Sequence, residues 1–578
     1  MARSRKPAPR PATGLAPTAA DALLACLRRH GVENFFANPG TDFPAVIEGF
    51  ARAKERQSTA TVPRPVLVPH ENLAVAMAHG AHLVTGAPQA VMVHVSVGTA
   101  NTINLLLNAA RDRIPLLLLA GRSPIMEAGA FGARSRPIHW AQEMFDQAGM
   151  VRELVKWDYE LRDPAQAAAV VARAIEAAMA PPRGPVYLTL PREPVSAPAG
   201  PAAEPAAPRS PPTPAHPDPT AIARLADWLT AAERPLVIAS SLGRAPAEAL
   251  TLARLAERFA LPVAAHSPRY VCLPTDHPLH LGFDPHPWLE EADLVLVLEA
   301  DVPWLPSVRP PAVGARVAHI GEDPAFLRYP MRSFQSDLSI AADAGAALAA
   351  LAAAMEERAG RGRGQRERRL AWAKRCAAAY RERRDARLGA DAPHITPEYL
   401  SRCVGDMAGP EGLVFNEYQL RPDHCERTRP GTYFALSPAG GLGWSVGAAL
   451  GARLADPDRL VVATIGDGGM IFANPTACHW AAEAHGLPIV MVVFNNARYA
   501  AVRNATMAMF ASGAAGRDNA SLFADLSPSP PFERYAQAHG AFAARVERPA
   551  DLPGVLAAAR DAVLRERRHA LVNVVTPY

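Results

Sequence analysis

The sequence predicts an α/β protein made of three doubly wound parallel-sheet domains, and two observations lead to this prediction. Apolar segments of strand length alternate with helix-like segments along nearly the whole chain. This alternation is typical of parallel sheets that are covered by helices on both faces. The chain has 578 residues, which is too many for one hydrophobic core, so several domains are expected.

The expected strands follow one another in each part of the chain. The first part contains RPVLVPH, QAVMVHVSV, IPLLLLAG and PVYLTL, with the helical stretch ENLAVAMAHGAHLVTG between the first two. The middle part contains RPLVIAS, PVAAH, ADLVLVLEA and ARVAHIG, and the last part contains GLVFNEY, LVVATIGDG, PIVMVVFNN and HALVNVVTP. These short apolar runs suit buried strands and are too short to cross a bilayer.

Two stretches of biased composition set the expected boundaries. One is rich in Pro and Ala and is typical of a stiff linker. The other is rich in Arg and indicates a solvated helix, because it lacks the aromatic and base-reading patterns of RNA-binding segments. The expected divisions are a disordered tail (1–17), an N-terminal domain (18–193), the linker (194–217), a central domain (218–352), a charged connecting helix (353–394) and a C-terminal domain (395–578).

Composition excludes several classes of protein. Apolar residues make up 49% and charged residues 20% of the chain, which is ordinary for a globular protein. The net charge of +4 arises largely from the first ten residues and the Arg-rich stretch, so it gives little support to nucleic-acid binding. The first residues have no apolar core of the kind that a secretory signal needs. Six scattered cysteines without a CxxC pair argue against a zinc site and indicate a reducing compartment, hence a cytoplasmic protein.

Polar residues follow two neighbouring strands in the last domain. One strand ends just before Asp467, Asn474 and the proline after it form a good helix start, and the next strand ends just before Asn496. A strand–helix–strand crossover of this kind makes the two strands parallel and close in the sheet. Asp467 and Asn496 are then expected at the carboxyl edge, where open α/β sheets bind ligands.

The residue types at this edge predict a metal-bridged diphosphate. A carboxylate oxygen and an amide oxygen suit Mg²⁺, which commonly takes one or two protein oxygens and completes its shell with phosphate and water. The glycines beside Asp467 allow a phosphate to approach the backbone closely. No GKS or GKT sequence follows, so the segment is not a P-loop.

These motifs resemble a known family. Asp467 within GDG, followed after twenty-six residues by the Asn495–Asn496 pair, resembles the thiamine-diphosphate signature of the acetolactate synthase and benzoylformate decarboxylase superfamily. VLVPHENLAVAMAHG resembles its strand–Glu–helix segment, and LVKWDYEL, GPVYLTLPREP and SPAGGLGWSVGAALG resemble further segments. The resemblance covers nearly the whole chain after residue 18 and implies the fold of three α/β domains.

The resemblance implies a set of cofactor contacts. Glu71 would activate the aminopyrimidine, although a glutamate in a first helical turn also fits an ordinary interaction with the helix dipole. Leu442 would be the bulky residue beneath the thiazolium. The expected contacts with thiamine diphosphate are Glu71, Leu442, Gly466, Asp467, Gly468, Gly469 and Asn496, and the expected magnesium ligands are the side chains of Asp467 and Asn496 and the backbone carbonyl of Arg498.

The resemblance also implies residues that face the substrate. Thr41 stands where decarboxylases of this family place a serine, and His94 stands where they place a histidine that suits proton transfer near neutral pH. A strand-end histidine with a satisfied hydrogen bond is the alternative for His94. For His70, a role in packing and a role in the chemistry are both consistent with the sequence. Gln142 lies in a segment comparable to one in which acetolactate synthases carry a glutamine that faces the pocket.

The sequence departs from the family pattern in the central domain. Benzoylformate decarboxylase uses a second histidine there, whereas this chain has Trp304 or Leu305 near that point. An apolar residue favours a different protonation route, or a second carbonyl acceptor in place of a proton. No flavin signature lies in 218–352, so bound FAD is not expected. The stretch 504–531 is rich in Gly, Ala, Ser and Pro and is expected to form a lid.

The function implied is cleavage, and possibly formation, of a C–C bond next to a carbonyl, with decarboxylation of a 2-oxo acid as the first choice. An acetolactate-synthase-type carboligase that joins two 2-oxo acids is the alternative, and a lyase of the oxalyl-coenzyme A type is third. A non-catalytic homologue would use the same fold. The resemblance further implies a homodimer or homotetramer with active sites between subunits, and neither a nucleic acid nor a membrane is an expected partner.

Overall fold

The computed structural model describes residues 16–200, 207, 212–359 and 363–577. The chain divides into two compact units. The first comprises the residues up to Ala74 and Ala87–Pro211, and the second comprises Val75–Gly86 and Pro212–Tyr578. Most of the predicted tail and much of the predicted Pro/Ala-rich linker lie outside the described residues. The proposed domain boundaries stay predictions.

The first unit holds a six-stranded sheet in which all pairings are parallel. Its strands are β1 (Asn34–Ala37), β2 (Arg64–Leu67), β3 (Gln89–Val93), β4 (Leu116–Arg122), β5 (Asp158–Glu160) and β6 (Val186–Pro191), in the order β2-β1-β3-β4-β6-β5. The helices of this part of the chain are α1 (Ala19–Arg29), α2 (Pro44–Glu55), α3 (Glu71–Thr85), α4 (Val95–Arg111), α5 (Ile138–Ala141), α6 (Ala167–Met179) and α7 (Arg192–Ser196).

The central part of the chain forms a five-stranded parallel sheet within the second unit. Its strands are β7 (Pro235–Ala239), β8 (Val263–Ala264), β9 (Leu294–Leu298), β10 (Arg316–Gly321) and β11 (Leu338–Ala341), in the order β11-β10-β9-β7-β8. The helices are α8 (Pro219–Ala231), α9 (Pro246–Phe259), α10 (His286–Leu289) and α11 (Ala344–Glu356), followed by the charged helix α12 (Arg363–Ala386). Helix α8 begins as the sequence dictates, because Asp218 caps it and Pro219 occupies its first turn.

The last part of the chain forms the third parallel sheet. Its strands are β12 (Leu413–Asn416), β13 (Tyr433–Ala435), β14 (Val461–Gly466), β15 (Val490–Asn495), β16 (Phe542–Val546) and β17 (Ala570–Val575), in the order β13-β12-β14-β15-β17-β16. The helices are α13 (Pro397–Ala408), α14 (Trp444–Ala455), α15 (Asp467–Phe472), α16 (Pro475–Ala484), α17 (Ala500–Phe510), α18 (Ala514–Arg517), α19 (Phe532–Gln537) and α20 (Leu552–Leu564).

The prediction of three parallel-sheet α/β domains is therefore confirmed. Every strand predicted from an apolar run is present, and β1, β5, β11, β13 and β16 are additional. The predicted lid contains the end of α17 and all of α18, and its role stays a prediction. Within the described residues, no helix combines the length and the apolar character needed to cross a membrane.

Two helices of the second unit pack at backbone contact. A Cβ on Gly80 of α3 would lie 1.8 Å from the Ala448 carbonyl oxygen, and one on Gly451 of α14 would lie 1.8 Å from the Met77 carbonyl oxygen. Only glycine permits so close an approach at both positions. The buried Trp444, at the start of α14, donates a hydrogen bond to His79 Nδ1 at 3.1 Å.

Candidate active site

Two strand ends meet at one edge of the C-terminal sheet. Strands β14 and β15 are adjacent and parallel, with Gly466 opposite Phe494, so Asp467 and Asn496 follow them at the same edge, as the sequence predicts. The connection between β14 and β15 differs from the predicted one in two details. Asn474 occupies the N-cap of α16 in the left-handed conformation without a side-chain cap hydrogen bond, which asparagine tolerates. The short helix α15 begins at Asp467 itself.

The Asp467 carboxylate is buried and only half satisfied. Only 3% of the residue is exposed, and its Oδ1 accepts the Gly468 N–H at 2.8 Å. Its Oδ2 is buried and has no hydrogen-bond partner within the described residues. Burial raises the pKa of Asp467, while the backbone N–H groups of Gly468 and of residues 496–498 oppose the shift. A buried carboxylate oxygen without a donor is costly unless a cation or ligand pairs with it, so this atom fits a metal ligand.

The turn at Asn496–Arg498 supplies further oxygens beside Asp467. Asn496 is half-buried, and its Oδ1 accepts the Arg498 N–H at 3.0 Å. The Arg498 carbonyl accepts the Ala500 N–H at 3.0 Å, and a carbonyl oxygen has a second lone pair. Among the described residues no group of three or more His, Cys, Asp or Glu side chains could hold a metal, and the set here contains a single carboxylate. Carboxylate, amide and carbonyl oxygens are the donors that suit Mg²⁺.

Glycines keep the start of α15 closely packed. A Cβ on Gly468 would lie 2.4 Å from a Tyr499 ring carbon, and one on Gly469 would lie 2.8 Å from Glu417 Oε1. Any larger residue would therefore displace Tyr499 or Glu417. The expected contacts of Gly466, Gly468 and Gly469 with a diphosphate stay predictions.

Glu417 is a buried carboxylate that the sequence did not predict. It follows β12, and its two oxygens accept the N–H groups of Gly443 and Trp444 at 2.8 Å and of Ser445 at 3.0 Å. These N–H groups lie at the start of α14, where a helix leaves donors unsatisfied. Leu442 directly precedes them and is half-buried. Glu417 therefore fixes the loop that carries Leu442.

In the first unit, Glu71 is the first residue of α3. Its side chain is partly exposed, and its Oε2 accepts a hydrogen bond from Asn101 Nδ2 at 2.5 Å. Asn101 lies on α4, the helix that begins directly after His94. The sequence did not predict a role for Asn101.

His94 lies in a hydrogen-bonded group with Asp42 and Gln142. Its Nδ1 is 2.5 Å from Asp42 Oδ1, and its Nε2 is 3.3 Å from Gln142 Nε2. The Asp42 side chain is 4% exposed, and its Oδ2 accepts the Val95 N–H at 3.2 Å. A Cβ on Gly40 would lie 2.1 Å from His94 Nδ1. The structure thus brings together His94 and Gln142, which the sequence analysis named separately, and adds Asp42, which it did not single out.

The other residues considered from the sequence are placed as follows. Thr41 is exposed, and its carbonyl accepts a hydrogen bond from Arg192 Nη2 at 2.6 Å. His70 is half-buried and precedes α3. In the central domain, Trp304 is buried against Phe334, whereas Leu305 is 46% exposed. Of these last two, only Leu305 faces outward.

Three profiles of one enzyme family match most of the chain. The profiles described as "Thiamine pyrophosphate enzyme, N-terminal TPP binding domain", "central domain" and "C-terminal TPP binding domain" match residues 17–150, 222–351 and 419–574. The chain belongs to the thiamine-pyrophosphate-dependent enzymes. Glu71 lies in the range matched by the N-terminal TPP binding domain, and Asp467 lies in the range matched by the C-terminal one.

The individual members of this family compared with the chain have low sequence identity to it. Benzoylformate decarboxylase of Pseudomonas aeruginosa is 28% identical, and the alignment covers 82% of this chain and 85% of that protein. Acetolactate synthase large subunit of Parasynechococcus marenigrum is 25% identical over 82% of this chain and 76% of that protein. The solved thiamine diphosphate-dependent 4-hydroxybenzoylformate decarboxylase of Rhodococcus jostii has a TM-score of 0.76 at 23% identity, over 97% of this chain and 99% of that one. That last likeness is one of fold.

Proposed function

We propose that this protein uses thiamine diphosphate and Mg²⁺ to decarboxylate a 2-oxo acid. The observation that carries the proposal is the buried Asp467 Oδ2, which has no partner within the described residues and lies at the carboxyl edge beside the Asn496–Arg498 turn. The relatives named above support the reaction class, since decarboxylases and carboligases are both among them.

The residues of the C-terminal half would hold the metal and the diphosphate. Asp467, Asn496 and the Arg498 carbonyl would bind Mg²⁺ through oxygen atoms, and Gly466, Gly468 and Gly469 would lie against the diphosphate. Leu442 would pack beneath the thiazolium, and Glu71 would bind the aminopyrimidine ring. When bound, thiamine diphosphate supplies a nucleophilic carbon for the ketone and an electron sink that lets carbon dioxide leave.

His94 would move a proton at its Nε2 atom. Because Asp42 lies against Nδ1, that nitrogen would carry the hydrogen and donate a hydrogen bond to the carboxylate, which would leave Nε2 as the acceptor of the Gln142 amide. Asp42 therefore sets which nitrogen can exchange a proton with a substrate. A proton delivered to the reacting carbon gives an aldehyde, which favours the decarboxylase. Thr41 would contact the substrate.

One observation favours an acetolactate-synthase-type carboligase as the second candidate. Trp304 is buried against Phe334 and Leu305 is apolar, so the side chains at these two positions differ from the second histidine of benzoylformate decarboxylases. An apolar wall suits a second carbonyl compound as the acceptor. A lyase of the oxalyl-coenzyme A type is a weaker candidate.

The assembly and location belong to the same proposal. Half-sites in the N-terminal and C-terminal domains would be completed by a second copy of the chain, in a homodimer or homotetramer. A reducing compartment, the cytoplasm, is supported by the six cysteines, all of which are buried and free.

The first test is a turnover screen with thiamine diphosphate and Mg²⁺. The substrates would be pyruvate, 2-oxobutyrate, benzoylformate and branched 2-oxo acids, with carbon dioxide and the organic product both quantified. Carbon dioxide with an equal amount of aldehyde supports the decarboxylase, and carbon dioxide with a hydroxy ketone supports the carboligase. Cofactor binding without carbon dioxide from any substrate would refute 2-oxo acid decarboxylation.

Two variants test the assigned residues. Glu71→Gln should abolish turnover, although its neighbour Asn101 can still form a hydrogen bond with the new amide. Full activity in this variant would refute the role of Glu71.

Asp42→Asn should lower kcat by about 100-fold or more with little change in KM, because proton transfer contributes roughly 10²–10⁴-fold. A change confined to KM would show that Asp42 acts on binding instead.

A further inference from the structure

A cavity of about 450 Å³ lies in the second unit, away from the candidate active site. It is lined by the segment before α10, by the last turns of α12, and by residues of the C-terminal domain. None of Leu442, Asp467 and Asn496 lines it. Its wall includes two aromatic rings and four arginines, which are Phe283, Tyr380, Arg383, Arg384, Arg387 and Arg421.

The cavity gathers four guanidinium groups from the connecting helix α12, the residue just after it and the C-terminal domain. Arg383, Arg384 and Arg387 come from α12 and the residues just after it, and Arg421 comes from the loop that follows β12. Three carboxylates, those of Asp284, Glu398 and Asp423, also line it. Burial raises the pKa of Asp423, with Tyr380, His424 and nearby arginines opposing the shift. Burial lowers the pKa of His424, so that ring adds no positive charge near neutral pH.

The internal pairing of these arginines is weak. Arg421 Nε is 3.9 Å from Glu398 Oε1, and the Arg421 side chain is 47% exposed. Arg384 pairs at 2.8 Å with Asp385, which does not line the cavity. In the described part of the chain, no carboxylate lies within 4.0 Å of Arg387 or Arg383, and Arg383 lies over the Trp288 ring at 4.8 Å. Exposed ion pairs contribute about 0–1 kcal/mol, so the long Arg421–Glu398 pair would not prevent Arg421 from binding an anion.

An ordinary explanation covers only part of this cluster. The carboxyl end of a helix favours cations, which accounts for Arg383 and Arg384 in the last turn of α12. It does not account for Arg421, which a different domain contributes to the same cavity. It does not account for Arg387 either, because that residue lies beyond the last residue of α12.

We propose that this cavity binds a small organic phosphate, with the phosphate held by Arg383, Arg387 and Arg421. Guanidinium groups donate paired hydrogen bonds to phosphate oxygens. The volume lies in the range of small-molecule pockets, roughly 300–1,000 Å³. Phe283 and Tyr380 also line the cavity and would contact the organic part of the ligand.

Calorimetric titration with pyrophosphate, adenosine diphosphate and adenosine tests the proposal. The buffer contains EDTA and no divalent cation, so metal-bridged binding of a diphosphate at Asp467 is suppressed. Pyrophosphate and adenosine diphosphate should bind, and adenosine alone should not. The double variant Arg387→Ala/Arg421→Ala should weaken binding by about 10-fold or more, because hydrogen bonds to charged groups contribute roughly 1.5–3 kcal/mol.

Arg381→Ala is the matched control. Arg381 lies on the same helix, contacts the Pro278 carbonyl at 3.3 Å and does not line the cavity, so its loss should leave the affinity unchanged. Wild-type affinity in the double variant would overturn the proposal, as would no binding of any probe at about 5 mM. Binding of pyrophosphate but not of adenosine diphosphate would uphold the phosphate contacts and refute the ring contacts. Thermal unfolding of each variant confirms that it folds, and the ligand-induced rise in Tm provides a second measure of binding.

Discussion

In both the central and the C-terminal sheet, the order in which successive parallel strands are added reverses at a switch point, which lies between β7 and β9 in one sheet and between β12 and β14 in the other. Open α/β sheets bind ligands at such points. At the C-terminal edge, Asp467 keeps a buried oxygen without a partner in the described residues. At the central edge, the buried acidic residue Asp301 lies three residues after the end of β9, and it is paired.

Asp301 is held by two side chains. It forms an ion pair with Arg269, and both side chains are 5% exposed. Its Oδ2 accepts the Tyr329 hydroxyl at 2.7 Å, and Arg269 also donates to Ser241 Oγ at 2.6 Å. Although burial acts to raise it, the pKa of Asp301 is lowered by Arg269 and Tyr329. The central edge therefore satisfies its buried charge with its own side chains.

The contrast indicates that sheet topology supplies the place for a ligand and that the side chains decide its use. A buried charge that is satisfied internally stabilises the fold, whereas one that lacks a partner favours an external group. The expectation that the central domain binds no flavin stays a prediction. Four experiments test the contrast between the two edges.

The largest effect is expected from disrupting the central edge. Asp301→Ala should lower the free energy of unfolding by about 3–5 kcal/mol, because it leaves a buried Arg269 without its counter-charge. Urea unfolding measures the loss. Asp284→Ala is the control, since Asp284 is the 65%-exposed partner of His286 and should cost less than about 1 kcal/mol. Equal losses in the two variants would show that the Asp301 pair does not hold this edge.

At the C-terminal edge, removing the acidic charge should lower the affinity for the cofactor and should not lower the stability of the apoprotein. Asp467→Asn should weaken Mg²⁺-dependent binding of thiamine diphosphate by about 100-fold, measured by calorimetry. The apoprotein should be no less stable, because burial disfavours the charged form of Asp467. Asp458→Asn, at an exposed position, should change neither quantity. A destabilised apoprotein with normal cofactor affinity would reverse the roles assigned to the two edges.

Glu417 lies at the ligand-binding edge but is satisfied internally, so it should behave like the central edge. In Glu417→Gln an NH₂ group replaces one oxygen and faces backbone N–H donors. The expected loss is about 2 kcal/mol in the free energy of unfolding, measured in urea. Glu411→Gln, in an exposed pair with Arg429, is the control and should be nearly silent. A loss of the same size in both variants would refute the anchoring role of Glu417.

The smallest effect is in the pH dependence of stability, where the two edges should have opposite signs. Asp467 has a raised pKa in the folded protein, so its contribution to apoprotein stability falls as pH rises from its ordinary value of 3.8 through the raised one. Asp301 has a lowered pKa, so its contribution is present above its ordinary value and is lost as pH falls. Unfolding free energies of Asp467→Asn and Asp301→Ala, each subtracted from wild type at several pH values, measure the two slopes. Slopes of the same sign would contradict the contrast.

The strands that the sequence predicted and those it missed differ in position. The predicted strands include the central ones, whose continuous apolar runs are buried on both faces. Four of the missed strands, β5, β11, β13 and β16, lie at sheet edges. β5 and β16 are largely half-exposed, so their sequences lack the apolar run that identifies a buried strand.

The residues of the candidate site also fall into a group that the sequence predicted and a group that it missed. Asp467 and Asn496 could be predicted because a single crossover places them together, so the local sequence contains all the information needed. The pairing of Asp42 with His94 joins residues 52 positions apart, and that of Glu417 with Gly443 joins residues 26 apart. The sequence contains both members of each pair but does not show that they are in contact in the fold. The only available signal for Asp42 was its place directly after Thr41.

Glu417 has a further consequence for the arrival of a ligand. Because its carboxylate holds three consecutive N–H groups at the start of α14, the loop at Leu442 has little conformational freedom left to lose. Ordering a mobile side chain on binding costs about 0.5–1.5 kcal/mol. For the backbone next to Leu442, the corresponding entropic cost is incurred when the chain folds, before any ligand binds.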